Sequence, residues 1–173
     1  MSDGKSGTSA YDWSRFIKRV SIKADPKKIY KLLTSQLGLE KWFLRKAIFT
    51  SSKGKPIDRK EPVQQGDNYE WYWHGWDDNT VERGTILEAN GKDRFKFSFG
   101  RAGVVTISIK TEQNEIITEL VQENIPIDEQ SKVYFHLGCT KGWVFYLTNL
   151  KSILEGGIDL RNKNAALRDM INA

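Results

Sequence analysis

The chain has little of what would let its chemistry be read directly. Its 173 residues hold one cysteine, Cys139, which excludes an intramolecular disulfide and a cysteine-rich zinc site and fits a reducing compartment. The only other soft metal ligands are His74 and His136. His136 and Cys139 lie three residues apart and could meet on a helix, but two ligands do not make a zinc site, so no metal is expected. No run of 18 apolar residues exists, and Met1 to Ala10 lack the apolar segment of a signal peptide, so no membrane span and a cytoplasmic location are expected. There is no Ser/His/Asp order, paired-carboxylate motif, phosphate-cradling glycine loop or dinucleotide fingerprint. No catalytic set and no cofactor are therefore expected.

Acidic residues are scarce in the first third. Residues 1–60 carry a charge balance of +10 and residues 61–173 one of −5, within a net charge of +5. A basic third can steer an acidic partner surface or can simply be solvated strand and helix faces. No basic run reaches five residues and no zinc-finger or RNA-binding signature accompanies it, so nucleic acid is not an expected partner.

What is abundant is aromatic. Six Trp, six Tyr and eight Phe make up 12% of the chain, and such rings line both cores and ligand cavities. At this length one domain is expected to bury roughly 70% of its unfolded surface, enough for a core without staples.

Phe16 to Lys23 alternates apolar and charged residues as a half-buried strand does. Asp25-Pro26 is a helix start, with Asp as N-cap and Pro in the first turn. Gly38 is expected to end that helix, and Leu39 to Phe43 to form a second short one. Residues 53–67 read as a polar loop. From Ala47 to Ile125 short strands follow one another, with candidates at 69–76, 80–89, 93–99, 104–111 and 115–125, separated by good turn chemistry. Phe95/Phe97/Phe99 and Val105/Ile107/Ile109 alternate with polar residues, which argues an antiparallel meander with one buried face. Asp128 then caps a helix from about Glu129 to Glu155, stopped by Gly156-Gly157. Its stripe of His136, Cys139, Trp143, Leu147, Leu150 and Leu154 needs a large concave partner.

The order predicts an α+β helix-grip fold: a curved seven-stranded antiparallel sheet around a long C-terminal helix, with two short helices after the first strand. The expected organisation is a flexible tail over 1–14, one domain over 15–157 and a C-terminal tail over 158–173.

Ile125 to Arg161, above all Gly142-Trp143, Leu147-Thr148-Asn149-Leu150-Lys151 and Leu154-Glu155, is similar to a known family. So are Ile22 to Pro26 before Ile29-Tyr30, Leu39 to Phe43, and Gly66-Asp67. The chain resembles the activator-of-heat-shock-protein-ninety-ATPase homologue family, in the START-like and birch-pollen-allergen-like superfamily. The resemblance implies the helix-grip fold, with a cavity between helix and sheet. Eukaryotic co-chaperones of the family carry an additional N-terminal domain, whereas only about 15 residues precede the first strand here, so the resemblance carries the fold and not the co-chaperone activity.

Three readings follow. The first is a non-enzymatic module binding a hydrophobic, lipid-like small molecule between the sheet (Phe97, Ile107, Leu120, Gln122) and the helix (Trp143, Tyr146, Leu147), with Trp42 and Phe43 at the entrance and Trp73 among the ring residues. The second is a protein-interaction module whose basic third meets a partner. The third, implied by the superfamily, is a cyclase-type enzyme, which needs titratable groups inside the cavity. Gly138 and Gly142 each cost about 1 kcal/mol in a helix interior, which close packing on the sheet or room for a ligand must justify. In 69–76 alternation puts Tyr69, Trp71 and Trp73 on one face and Tyr72, His74 and Trp76 on the other.

Overall fold

The computed structural model describes residues 10–167 and 170–172. Seven strands form one antiparallel sheet: β1 (Phe16–Ser21), β2 (Lys46–Thr50), β3 (Asn68–Tyr72), β4 (Glu82–Ala89), β5 (Arg94–Ser98), β6 (Val104–Glu112) and β7 (Glu115–Glu123). Their spatial order is β1-β7-β6-β5-β4-β3-β2, so the meander runs from β2 to β7 and β1 returns to pair with the last strand. Register aligns the apolar face: Phe16 lies opposite Gln122, Gln122 opposite Val105, and Val105 opposite Phe97. All four are buried on the same side, as period-two alternation requires.

Against that face lies the long C-terminal helix. It starts with the turn α3 (Glu129–Ser131), where Asp128 Oδ1 accepts the Ser131 N–H at 3.0 Å, passes through a π-helical stretch Lys132–Leu137, and continues as α4 (Gly138–Leu154). The expected inward stripe is there, with Trp143, Leu147, Leu150 and Leu154 buried. His136 is buried and bonded at both ring nitrogens, to Trp13 O and to Tyr11 Oη, each at 2.8 Å. Residues 1–9 of the stretch expected to be a tail lie outside the described residues. Tyr11 and Trp13 in its remainder rest edge-to-face on the His136 ring.

The two short helices are α1 (Pro26–Thr34) and α2 (Gln36–Trp42). Asp25 caps the first as expected, accepting the Lys27 N–H at 2.8 Å. The break between them is not at Gly38. It falls at Ser35, an extended residue whose hydroxyl caps α2 by accepting the Gly38 N–H at 3.1 Å. Gly38 sits inside α2 because the helices cross there: a Cβ would stand 2.6 Å from Leu32 Cα. Strand β3 also stops earlier than alternation suggests, at Tyr72, so Trp73, His74 and Trp76 leave the sheet.

No helix among the described residues is long and apolar enough to cross a membrane.

Candidate functional site

The residues that follow α2, β3 and β5 (Phe43, Trp73 and Phe99) meet the first half of α4 in a cleft of about 100 Å³. Helical spacing puts Cys139, Gly142, Trp143 and Tyr146 on one stripe of α4, facing Phe43, Trp73 and Phe99. The rings contact one another. Phe43 is 5.0 Å from Trp143 and 4.8 Å from Tyr146, centroid to centroid, and stands edge-on to Trp73 at 5.9 Å. Trp73, Phe99 and Cys139 are half-buried, so the cleft opens to solvent between them.

Gly142 forms part of its wall, and a Cβ built there meets nothing within 4 Å. At Gly138 a Cβ would make only an ordinary contact, 3.6 Å from Val133 O within its own helix. Neither glycine therefore answers to close packing on the sheet. At Gly142 the missing side chain leaves space in the cleft.

Three of the nine expected site residues, Trp73, Trp143 and Tyr146, line this cleft. Phe97, Ile107 and Leu120 face the helix as expected but are packed into the main core, and Leu147 is buried with them. Trp42 is fully buried, with its indole N–H donating to Leu32 O at 3.0 Å. Gln122 is inward and fully buried, and the protein itself uses both ends of its amide. Its Nε2 donates to Ala102 O at 2.9 Å and its Oε1 accepts the Trp143 indole N–H at 2.8 Å. The sequence reading did not place Phe99, Cys139 and Gly142 in the site. Gly142 carried the visible signal, a mid-helix glycine beside a tryptophan.

The positions of the cleft rings are set from behind. Phe43 lies between Trp42, whose carbonyl accepts from Asn149 Nδ2 at 2.7 Å, and Leu44, whose carbonyl accepts from Arg161 Nη1 at 2.9 Å. Arg161 also donates to Glu40 O and Lys41 O, at 3.0 and 2.8 Å, capping the carbonyl end of α2. Burial raises the Asp159 carboxyl, but hydrogen bonds from Arg161 and Lys163 outweigh it and hold the group far below the usual carboxylate range. Residues 158–161, expected to begin a tail, are thus anchored by one buried arginine.

Two titratable groups line the cleft. Burial pushes the Cys139 thiol up, its hydrogen bond with Gln122 opposing this only in part, and burial takes the Tyr146 phenol up to about 12. Both are protonated at neutral pH, so these two groups supply neither a thiolate nor a phenolate base. Among the described residues no group of three or more His, Cys, Asp or Glu could hold a metal ion.

The aromatic rows of 69–76 divide differently from simple alternation. Tyr69 and Trp71 stack in the core with centroids 3.8 Å apart. A Cβ at Gly84 would stand 2.6 Å from the Tyr69 hydroxyl, which donates to Ser98 O at 2.6 Å, so only glycine fits beneath it. On the other face Tyr72 is covered by Lys46, 5.1 Å above its ring, and Trp76 alone remains 62% exposed.

Comparison with known proteins agrees with this architecture. The solution structure of the Aha1 dimer from Colwellia psychrerythraea is similar at 18% identity and a TM-score of 0.62, covering 83% of this chain and 97% of that one. A crystal structure of a Staphylococcus saprophyticus protein is similar at 18% identity and a TM-score of 0.65, covering 85% and 96%. One from Mesorhizobium loti is similar at 16% identity and a TM-score of 0.61, covering 82% and 97%. At such identities the likeness is one of fold. No curated protein matches the chain. The family described as "Activator of Hsp90 ATPase homolog 1-like protein" matches residues 23–155, most of the chain, and the protein belongs to that family.

Proposed function

We propose that the protein is a non-enzymatic binding module whose ligand is a small, flat, apolar molecule held in the cleft between Phe43, Trp73, Phe99 and Trp143. The observation that carries this reading is Gly142. A glycine in the interior of a long helix costs about 1 kcal/mol relative to alanine, and here its absent side chain faces open space in an aromatic wall.

The size of the cleft narrows the class. Drug-sized ligands occupy roughly 300–1,000 Å³, whereas a cavity of about 150 Å³ holds benzene. A cleft of about 100 Å³ is smaller than that and takes part of a single ring or the end of a chain, with the remainder of the ligand at the solvent-facing mouth. Ring edges and faces at 5 to 6 Å spacings favour an aromatic guest. The Cys139 thiol offers one weak polar contact.

Native mass spectrometry of protein purified from cells, followed by crystal soaks with monocyclic aromatics such as p-cresol and indole, tests the reading. Density for a ring against Phe43 and Trp143 is the expected result. Ligand-free protein from cells together with no occupancy at millimolar soaks removes it.

A further inference from the structure

A second concavity, of about 460 Å³, lies outside the cleft and shares no residue with it. Lys27 and Lys31, one turn apart on α1, form one side; Lys60 comes from the loop after β2, and Lys92 from the turn between β4 and β5. All four are exposed, and none forms an ion pair among the described residues. Some cations elsewhere are neutralised, as Arg19 is by Glu112 and Glu119 and Lys110 by Glu119, and other exposed lysines among the described residues stand alone; what marks this groove is that four of them converge on one concavity. Among the described lining residues Glu61 is the only acidic one, and Asp93 and Glu88 lie near enough to act on the Tyr30 phenol.

The platforms that hold these lysines are fixed. The loop is tied to the junction of α1 and α2 by Val63 N–H donating to Thr34 O at 2.7 Å, by Leu37 N–H donating to Arg59 O at 3.1 Å, and by the bridge between Ser35 and Pro62. The turn is tied by Gly91 N–H donating to the Tyr30 hydroxyl at 2.8 Å, while Asn90 Oδ1 accepts the N–H groups of Lys92, Asp93 and Arg94. Lys27 also stands in the first turn of α1, beside the Asp25 carboxylate that caps the helix and complements its dipole.

We propose that this groove is a docking site for an acidic peptide segment of a partner protein, with an apolar side chain of that segment against the Tyr30 ring and Pro62. The chemistry favours carboxylates spread along a chain over a compact phosphate. The cations are four separated ammonium groups on long stems, with no arginine fork in the lining. The backbone donors that would cradle a phosphate are used: Gly91 N–H by Tyr30, and Lys27 N–H by Asp25. The groove draws on the basic N-terminal third through Lys27, Lys31 and Lys60, with Lys92 added from outside it. It stands independently of the cleft.

The test is fluorescence anisotropy with a labelled decapeptide of alternating Glu and Asp around one central Phe, at 50 and 200 mM NaCl. Two variants with the same change in net charge are compared. One replaces Lys27, Lys31, Lys60 and Lys92 by Gln; the other replaces Lys41, Lys53, Lys55 and Lys141, which are exposed and lie outside the groove. Circular dichroism confirms that both are folded. Salt-sensitive binding that falls at least about tenfold in the groove variant, and less than about threefold in the other, is expected for contact charges as against distant ones. An equal loss in both variants overturns the proposal in favour of diffuse attraction. Lysine-dependent binding of inorganic tripolyphosphate or of phosphatidylserine vesicles, without binding of the peptide, overturns it in favour of those ligands.

Discussion

The indole N–H of Trp143 donates to the side-chain oxygen of Gln122 at 2.8 Å, and this buried bond ties the gripped helix to the last strand of the sheet. Through it one residue serves two purposes. The edge of Trp143 is committed to the core, while its ring still lines the cleft beside Gly142. Because Gln122 also donates to Ala102 O, both ends of its amide are engaged within the protein.

Replacing Gln122 by Leu leaves the Trp143 N–H and the Ala102 carbonyl buried without partners. Each such group costs about 1–3 kcal/mol. Urea unfolding is expected to show a loss of about 2–4 kcal/mol, partly offset by the added apolar volume. A variant as stable as the parent contradicts the role given to this bond.

Gly142→Ala separates stability from binding. The methyl group enters open space and removes a helix penalty, so unfolding free energy should rise by about 0.5–1 kcal/mol. Affinity for a ring-sized ligand should fall, since a methyl consumes a sizeable part of a cleft of about 100 Å³. Calorimetry with indole, paired with thermal melts, reads both effects.

Arg161→Met tests the anchor of the C-terminal segment. The substitution keeps an apolar stem but removes donors to Leu44, Glu40 and Lys41 carbonyls, and a loss of about 2–4 kcal/mol is expected in urea. Phe43 lies between two of those residues, so its amide and ring resonances should broaden or shift, while those of Ile107 on β6, several strands away from α2 and β2, stay in place.

Glu82 supplies a prediction about pH. Burial raises its carboxyl above the ordinary value. The native state then holds the proton more tightly than the unfolded one, so this group lowers stability as pH rises from about 4.5 through its folded value. Glu82→Gln should therefore raise the melting temperature at pH 7, with the gain vanishing by pH 4. A gain that is equal at both pH values points to some cause other than ionisation.

Much of the frame was legible because it rests on local rules. Alternation at Phe95/Phe97 and Val105/Ile107 marks the inner face of the sheet, and Asp25 and Asp128 mark two helix starts with side-chain oxygens that do accept N–H bonds. The cleft was less legible. Phe97, Ile107 and Leu120 share their face with cleft residues, and alternation reports the face a side chain takes but not whether another ring already fills the space above it. The break at Ser35 was hidden because glycine is the stronger helix breaker, although Gly38 answers to a crossing 2.6 Å from Leu32 Cα. The Arg161 anchor has no periodic signature, since one side chain reaching backbone carbonyls leaves no pattern in the flanking residues.

The central claim is that the aromatic cleft beside Gly142 takes a ring-sized apolar guest. It is tested most directly by following the indole N–H resonances of ¹⁵N-labelled protein during titration with p-cresol and indole, in the parent and in Gly142→Leu. Saturable shifts at Trp73 and Trp143, small shifts at the buried Trp42, and loss of all of them in the variant are the expected result. Absence of shifts in the parent, or the same shifts in both proteins, contradicts it.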